Sequence, residues 1–495
     1  MHHKDISLIT RRKFLRQAAC AAVGTVAMTS TIRDLRFMNA AMAQSNINDY
    51  KALVCIFLQG GNDSNNLVIP TLTSEYANYA SIRTPILAIP SSAILGLTSL
   101  NPDGHNYGLH PACPELQALF GAGKLALMFN TGTLLWPLTR AQYLAGSPAA
   151  PPQLFSHADQ QTQWQTSVPD VPPTTGWGGR CADLLNAVQP SAPVSFVVTL
   201  AGANTFEIGN IVAEYSVSTS GAISLSLPGT PSGGASTNRL PTMMKLLGLP
   251  YTNMQSQAYA NAAEQTINSA SLLNNAISST GVAGYWKTPF PTTITPPITG
   301  ATAFNSNLSP QLQMVARLIA AGNTPLSSGG FGMKRQIFFV QVGGYDLHSG
   351  QTNYSSSNPN NVLLGAHTNL LAELSQSLNA FQAAMEQLGL SKQVTAFTAS
   401  DFSRTFPSNG AGSDHGWGSH HMILGGAVNG QRTYGTFPIQ SVNGPNDTGT
   451  GRWIPTTAID QYFATVATWF GIDSGNLSTV FPNIGRFSSP NLGFI

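Results

Sequence analysis

The chain of 495 residues carries 23 Lys and Arg against 21 Asp and Glu, so only 9% of it is charged, where roughly 25% is usual for soluble domains. Surface polarity must come from Ser, Thr, Asn and Gln, and 42% hydrophobic residues with 47 Gly and 32 Pro exclude collagen, coiled coil and a highly charged disordered chain. The net charge of +2 hides an asymmetry: residues 1–43 hold seven basic and two acidic side chains, the remainder 16 basic and 19 acidic. A mildly acidic body lacks the footprint that a phosphate backbone requires, which argues against nucleic acid as a partner.

Thr10-Arg11-Arg12-Lys13-Phe14-Leu15-Arg16 reads as a twin-arginine export motif. A short apolar run from Ala18 to Met28 and the small-residue site Ala41-Met42-Ala43 follow it. The order predicts a signal over 1–43, a mature chain from Gln44, and a periplasmic or exported protein. No later stretch offers about twenty uninterrupted apolar residues, so no transmembrane segment is expected in the mature chain. Three cysteines remain beyond Cys20. Cys55 sits in an apolar run and reads as core, which leaves Cys113 with Cys181 as the expected pair if any disulfide forms.

Ala52 to Leu58 predicts a buried strand that breaks into Gln59-Gly60-Gly61-Asn62-Asp63, the setting in which parallel sheets place functional groups. Pro114 to Phe120 predicts a helix and Leu125 to Phe129 a second strand. Ser156 stands where it can cap a helix running to Thr166. Val194 to Leu200 predicts a strand. From about 216 to 303 the composition shifts to Ser, Thr, Gly, Asn and Pro, read as a cap or insertion with a polar helix over Tyr251 to Ile277. Ser309 to Ala321 and Ala366 to Leu388 read as helices, Gln336 to Val342 and Gln393 to Thr398 as strands, and Ile459 to Phe470 as a closing helix. Alternating strands and helices predict an α/β fold: a doubly wound, mostly parallel sheet with helices on both faces.

In a chain with so little charge, three strand ends deliver Asp63, Asp346 and Asp401. Clustered carboxylates need a cation or protons to offset their repulsion, and neighbouring imidazoles are the neutral ligands transition metals prefer. His348 lies two residues from Asp346, while His415, His420 and His421 follow Asp401 in a Gly-rich stretch. Read structurally, Asp346 and His348 belong to a solvated loop, Asp401 caps a helix turn, and His367 simply begins a helix.

The motifs Gly60-Gly61-Asn62-Asp63-Ser64-Asn65-Asn66, Gly108-Leu109-His110-Pro111, Ser156-His157-Ala158-Asp159-Gln160, Thr175-Gly176-Trp177, Gly343-Gly344-Tyr345-Asp346-Leu347-His348 and Asp414-His415-Gly416-Trp417-Gly418 together resemble the domain of unknown function 1501 family. That family is similar to the alkaline phosphatase and sulfatase superfamily. The resemblance implies an alkaline phosphatase-like fold and one or two divalent ions (Zn, Mg, Mn or Ca) held by Asp63, Asp346, His348, Asp401, Asp414, His415 and His420. Ser156 is the implied nucleophile at its helix start, with Thr131 and Thr133 weaker alternatives. Arg404 is the expected clamp for a tetrahedral oxyanion. Phe402 stands where the superfamily has His. Asp414-His415 either replaces that imidazole or is itself the Asp and His pair, and one of His420 and His421 could substitute. No Cys-x-Pro-x-Arg occurs, so formylglycine chemistry is not supported. The expected activity is metal-dependent hydrolysis of phosphate or sulfate esters, of small-molecule or glycan substrates. The alternative is a non-catalytic envelope or glycan-binding protein that kept the fold.

Overall fold

The computed structural model describes residues 47–189, 194–222, 239–278 and 290–495. The expected export signal lies outside these residues, as does part of the expected cap.

The main sheet contains, in chain order, β1 (Lys51–Leu58), β2 (Leu125–Gly132), β3 (Val197–Thr199), β4 (Tyr215–Ser218), β5 (Gly221–Ala222), β6 (Arg335–Val342), β7 (Val394–Ser400), β8 (Ser419–Leu424), β9 (Thr433–Tyr434) and β10 (Thr457–Ala458). Their spatial order is 9-2-8-7-1-6-3-4-5, with β10 pairing β2. Strand β1 lies at the centre, parallel to β6 on one side and β7 on the other. It is buried from Ala52 to Leu58, as a strand covered on both faces must be, and this is why its sequence is a continuous apolar run rather than an alternation.

The sheet is mixed. β8 runs antiparallel to both β7 and β2, and β5 runs antiparallel to β4. The expectation of a mostly parallel sheet holds, with six of its nine strand pairings among the described residues parallel, while the β8 inversion leaves no composition signal because its apolar half resembles any buried strand. Residues 215–222 extend the sheet beside β3, where the cap was expected to begin at about 216.

Among the described residues, the helices around the sheet include α1 (Thr73–Leu87), α2 (Pro114–Gly121), α3 (His157–Thr166), α4 (Trp177–Leu185), α5 (Met254–Ser278), α6 (Leu308–Asn323), α7 (Ala366–Gln387) and α8 (Ile459–Phe470). Helices α2, α6 and α7 pack together against β2 and β6. Helices α3, α4 and α8 form a second group, joined by Trp177 stacked on Phe463 at 4.5 Å between ring centroids and Trp164 edge-on to Phe463 at 5.7 Å. Cys55, Cys113 and Cys181 are all buried and free. The expected Cys113–Cys181 pair is therefore not formed: Cys113 precedes α2 with its Sγ 3.8 Å from the Leu371 carbonyl of α7, whereas Cys181 belongs to α4. Among the described residues, no helix is long and apolar enough to cross a membrane.

A candidate metal centre at the strand ends

The adjacent strands β6, β1 and β7 end side by side, so the loops after them deliver Asp346, Asp63 and Asp401 to one edge of the sheet. Close backbone approach brings them there. Gly60 has φ +112°, and a Cβ on it would stand 2.4 Å from the Asp346 backbone nitrogen. The Gly60 N–H donates to Asp401 Oδ1 at 3.1 Å, and Ser400 Oγ ties β7 to the Leu58 carbonyl of β1 at 2.6 Å.

The chemical centre forms around Asp346 and three imidazoles. His157, Asp346 and His415 each offer one ligand atom, and these atoms lie within 4.8 Å of one another. His157 Nε2 stands 3.1 Å from His415 Nε2 and 3.4 Å from Asp346 Oδ2. His348 flanks the group, its Nε2 2.9 Å from His415 Nε2 and 3.2 Å from Asp346 Oδ1.

Every imidazole is anchored through its other nitrogen. His157 Nδ1 donates to Asp401 Oδ2 at 2.6 Å, His348 Nδ1 to Asp414 Oδ1 at 2.9 Å, and His415 Nδ1 to the Phe155 carbonyl at 2.7 Å. Carbonyls and carboxylates accept, so each Nδ1 carries the proton and each neutral ring turns the lone pair of Nε2 toward the centre. Lone pairs 2.9–3.1 Å apart repel, and a cation or a proton between them removes the repulsion. His157 is the better proton holder, because its hydrogen bond to Asp401 raises its pKa against the opposing effect of burial. Burial lowers that of His415. For Asp346, burial opposes ionisation, but Arg404 and the neighbouring His157 and His348 hold its pKa below the ordinary value.

The structure revises several expected roles. Asp401 is wholly buried and stands behind His157: Oδ2 also accepts from Gln161 Nε2 at 2.8 Å, and Oδ1 is taken by Gly60. Asp414 likewise stands behind His348 and accepts from Asn409 Nδ2 at 2.9 Å. Each carboxylate thereby fixes the orientation of the imidazole in front of it. Asp63 stays apart, because its carboxylate forms a buried ion pair with Arg83 from α1 and accepts from Gln351.

Arg404 is not a free clamp. It donates to Asp346 Oδ1 at 2.7 Å, to the Gly60 carbonyl at 3.2 Å and to the Ser413 carbonyl. Ser156 precedes α3 as expected, but its hydroxyl donates to Asp159 Oδ2 at 2.6 Å rather than capping the helix. His420 and His421 lie on β8 and turn to opposite faces. His420 Nδ1 accepts from the Asn130 N–H at 3.0 Å while its ring stacks on Phe437, and His421 stacks on Tyr462. Burial pushes both down to about 3, so both rings are neutral, and they pack in the core outside the group of ligand atoms formed by His157, Asp346 and His415. Thr131 hydrogen-bonds the Phe129 carbonyl at 3.3 Å, Thr133 is buried, and Tyr345 and Trp417 are buried as packing groups.

Phe402 is buried as well and walls the centre, its ring centroid 4.8 Å from that of His157 and 4.7 Å from that of His415. Gly61, at φ +85°, makes room for it, since a Cβ there would lie 2.5 Å from the ring. His157, the imidazole that sequence reasoning passed over for Ser156, comes from a helix start rather than a strand end. The signal available was its place in the Ser156-His157-Ala158-Asp159 motif.

Residues 329–481 match the family described as protein of unknown function (DUF1501). No curated protein matches the chain. Among solved structures, the chain is similar to Ps i-CgsB in complex with k-i-k-neocarrahexaose, at 8% identity over 89% of this chain and 77% of that one, with a TM-score of 0.33. It is also similar to the PsFucS1 sulfatase from Pseudoalteromonas sp., at 8% identity over 89% of this chain and 72% of that one, with a TM-score of 0.30.

Proposed function

We propose that this chain is an exported, metal-dependent hydrolase of phosphate or sulfate esters. One divalent cation would be held by His157, Asp346 and His415, with His348 alongside. The observation that carries this reading is the set of Nε2 atoms that face one another beside a carboxylate while every Nδ1 is fixed by an acceptor. Imidazole nitrogens with one carboxylate suit Zn or another transition ion better than Mg or Ca. When bound, such a cation supplies Lewis-acid polarisation of the ester and neutralises developing negative charge.

The chain's own groups set the rest. Asp401 holds the His157 proton at Nδ1, Arg404 fixes Asp346, and Phe402 excludes water from one side of the imidazoles. The Ser156 hydroxyl donates to Asp159 Oδ2, which leaves its oxygen lone pairs available, so the attacking group is either Ser156 or a water at the centre. The Arg83 guanidinium neutralises Asp63, which favours a single cation over two. Phe402 also motivates the second reading, a non-catalytic envelope or glycan-binding protein. Export by the twin-arginine route remains part of the proposal and rests on Arg11 and Arg12.

The test is the metal content of the purified protein together with turnover of p-nitrophenyl phosphate and p-nitrophenyl sulfate. His157→Ala and His415→Ala should lose metal and turnover in parallel. Full metal and turnover in both variants would reject the proposal, and bound metal without turnover of either ester would favour the second reading.

A further inference from the structure

An anionic ester approaching this centre meets the exposed carboxylates of Asp346 and Asp414, and it needs a positive group that is not already paired. Arg83 is locked to Asp63 and to the carbonyls of Thr405 and Phe406. Arg404 is buried and divided among Asp346, Gly60 and Ser413. A third guanidinium, that of Arg452, differs from both.

Arg452 Nε donates to the backbone carbonyl of His415 at 2.7 Å, and its guanidinium carbon lies 4.3 Å from the centroid of the Phe155 ring. Phe155 is the residue whose carbonyl fixes His415 Nδ1, and it holds φ +72° to do so. The Arg452 backbone is pinned in turn. Its N–H donates to the buried Asp447 at 2.9 Å, and the next residue, Trp453, donates through Nε1 to Asn65 Oδ1 at 2.8 Å. One edge and one face of the guanidinium are therefore fixed beside a proposed metal ligand. The Nη1 and Nη2 atoms have no hydrogen-bond or ion-pair partner among the described residues. A planar fork held by stacking loses little freedom when it takes up oxyanion oxygens.

We infer that Arg452 binds the anionic group of the ester substrate at the rim of the centre. It takes the clamping role that the sequence suggested for Arg404. The inference rests on the hydrolase reading, and it names an oxyanion of phosphate or sulfate as the group recognised.

The experiment compares wild type with Arg452→Met and Arg452→Lys. It measures metal content, kcat and KM on whichever ester turns over, and binding of inorganic phosphate and inorganic sulfate by calorimetry. Arg452→Met should raise KM and weaken anion binding about 10- to 100-fold, the range expected for loss of a charge-assisted bidentate contact. Metal content should stay at the wild-type level, and Arg452→Lys should recover part of the loss. Unchanged KM and anion binding in Arg452→Met overturns the inference. So does a fall in metal content and kcat at constant KM, which would show that Arg452 only braces His415. If wild type turns over neither ester, the hydrolase reading fails on its own, and the anion-binding comparison still decides whether Arg452 is the anion site.

Discussion

Each imidazole of the centre is fixed at Nδ1 and open at Nε2, and the fixing group differs in each case: Asp401 for His157, Asp414 for His348, the Phe155 carbonyl for His415. Asp401 is wholly buried behind His157 and both its oxygens accept hydrogen bonds, so its contribution is expected to pass through His157. Asp401→Asn keeps the size but removes the charge that raises the basicity of His157, and it should weaken divalent-metal affinity about 10- to 100-fold with the fold intact. Competition with a metallochromic chelator measures this, and unchanged affinity would show that His157 needs no such partner. Part of this pattern was legible in the sequence. Asp346, His348, Asp401 and His415 stand out because strand ends and a Gly-rich loop mark them. Arg83, which removes Asp63 from the centre, was not legible, since nothing in the pattern of α1 says which of its residues turns toward the loop after β1.

Helices and strands carry the same lesson one level up. The central strands were readable because burial on both faces favours unbroken apolar runs, as in β1 and in Ile337 to Val340 of β6. The reversal of β8 was not, because strand direction is set by the route of the chain and leaves no mark on Met422, Ile423 and Leu424. His420 and His421 misled for a related reason: a histidine packed in a strand looks the same in sequence as one bound to a metal.

Helix α8 shows a further element-scale effect. Asp460 enters its first turn with both carboxylate oxygens buried, and burial, only partly opposed by the neighbouring Ser167 hydroxyl and Arg180, pushes its pKa up to about 7. A folded-state pKa above the unfolded value of about 3.9 means that the native state holds the proton more tightly. The resulting stabilisation is complete below the unfolded value and is lost as pH rises through about 7. Asp460→Asn escapes that loss. Relative to wild type it should gain about 1–3 kcal/mol between pH 4 and pH 8. Thermal denaturation at the two pH values tests this, and a difference independent of pH would mean that Asp460 does not titrate in the native state.

For the whole molecule, a sparsely charged chain folds around one mixed sheet and gathers its polar chemistry at the ends of β6, β1 and β7, with α3 and the 404–415 loop completing the centre. The same architecture separates two acidic positions that share that edge. Asp346 faces the imidazoles, while Asp63 is neutralised by a buried guanidinium, so one cation and not two is the expectation for the folded chain. The most direct measurement is the stoichiometry of divalent-metal binding by calorimetry for wild type, His415→Ala, and the paired change Asp63→Asn with Arg83→Met, which removes both buried charges together. The prediction is a single ion per chain in wild type, lost in His415→Ala and retained in the paired variant. Two ions in wild type, or a single ion that survives His415→Ala and disappears when Asp63 is changed, would contradict it.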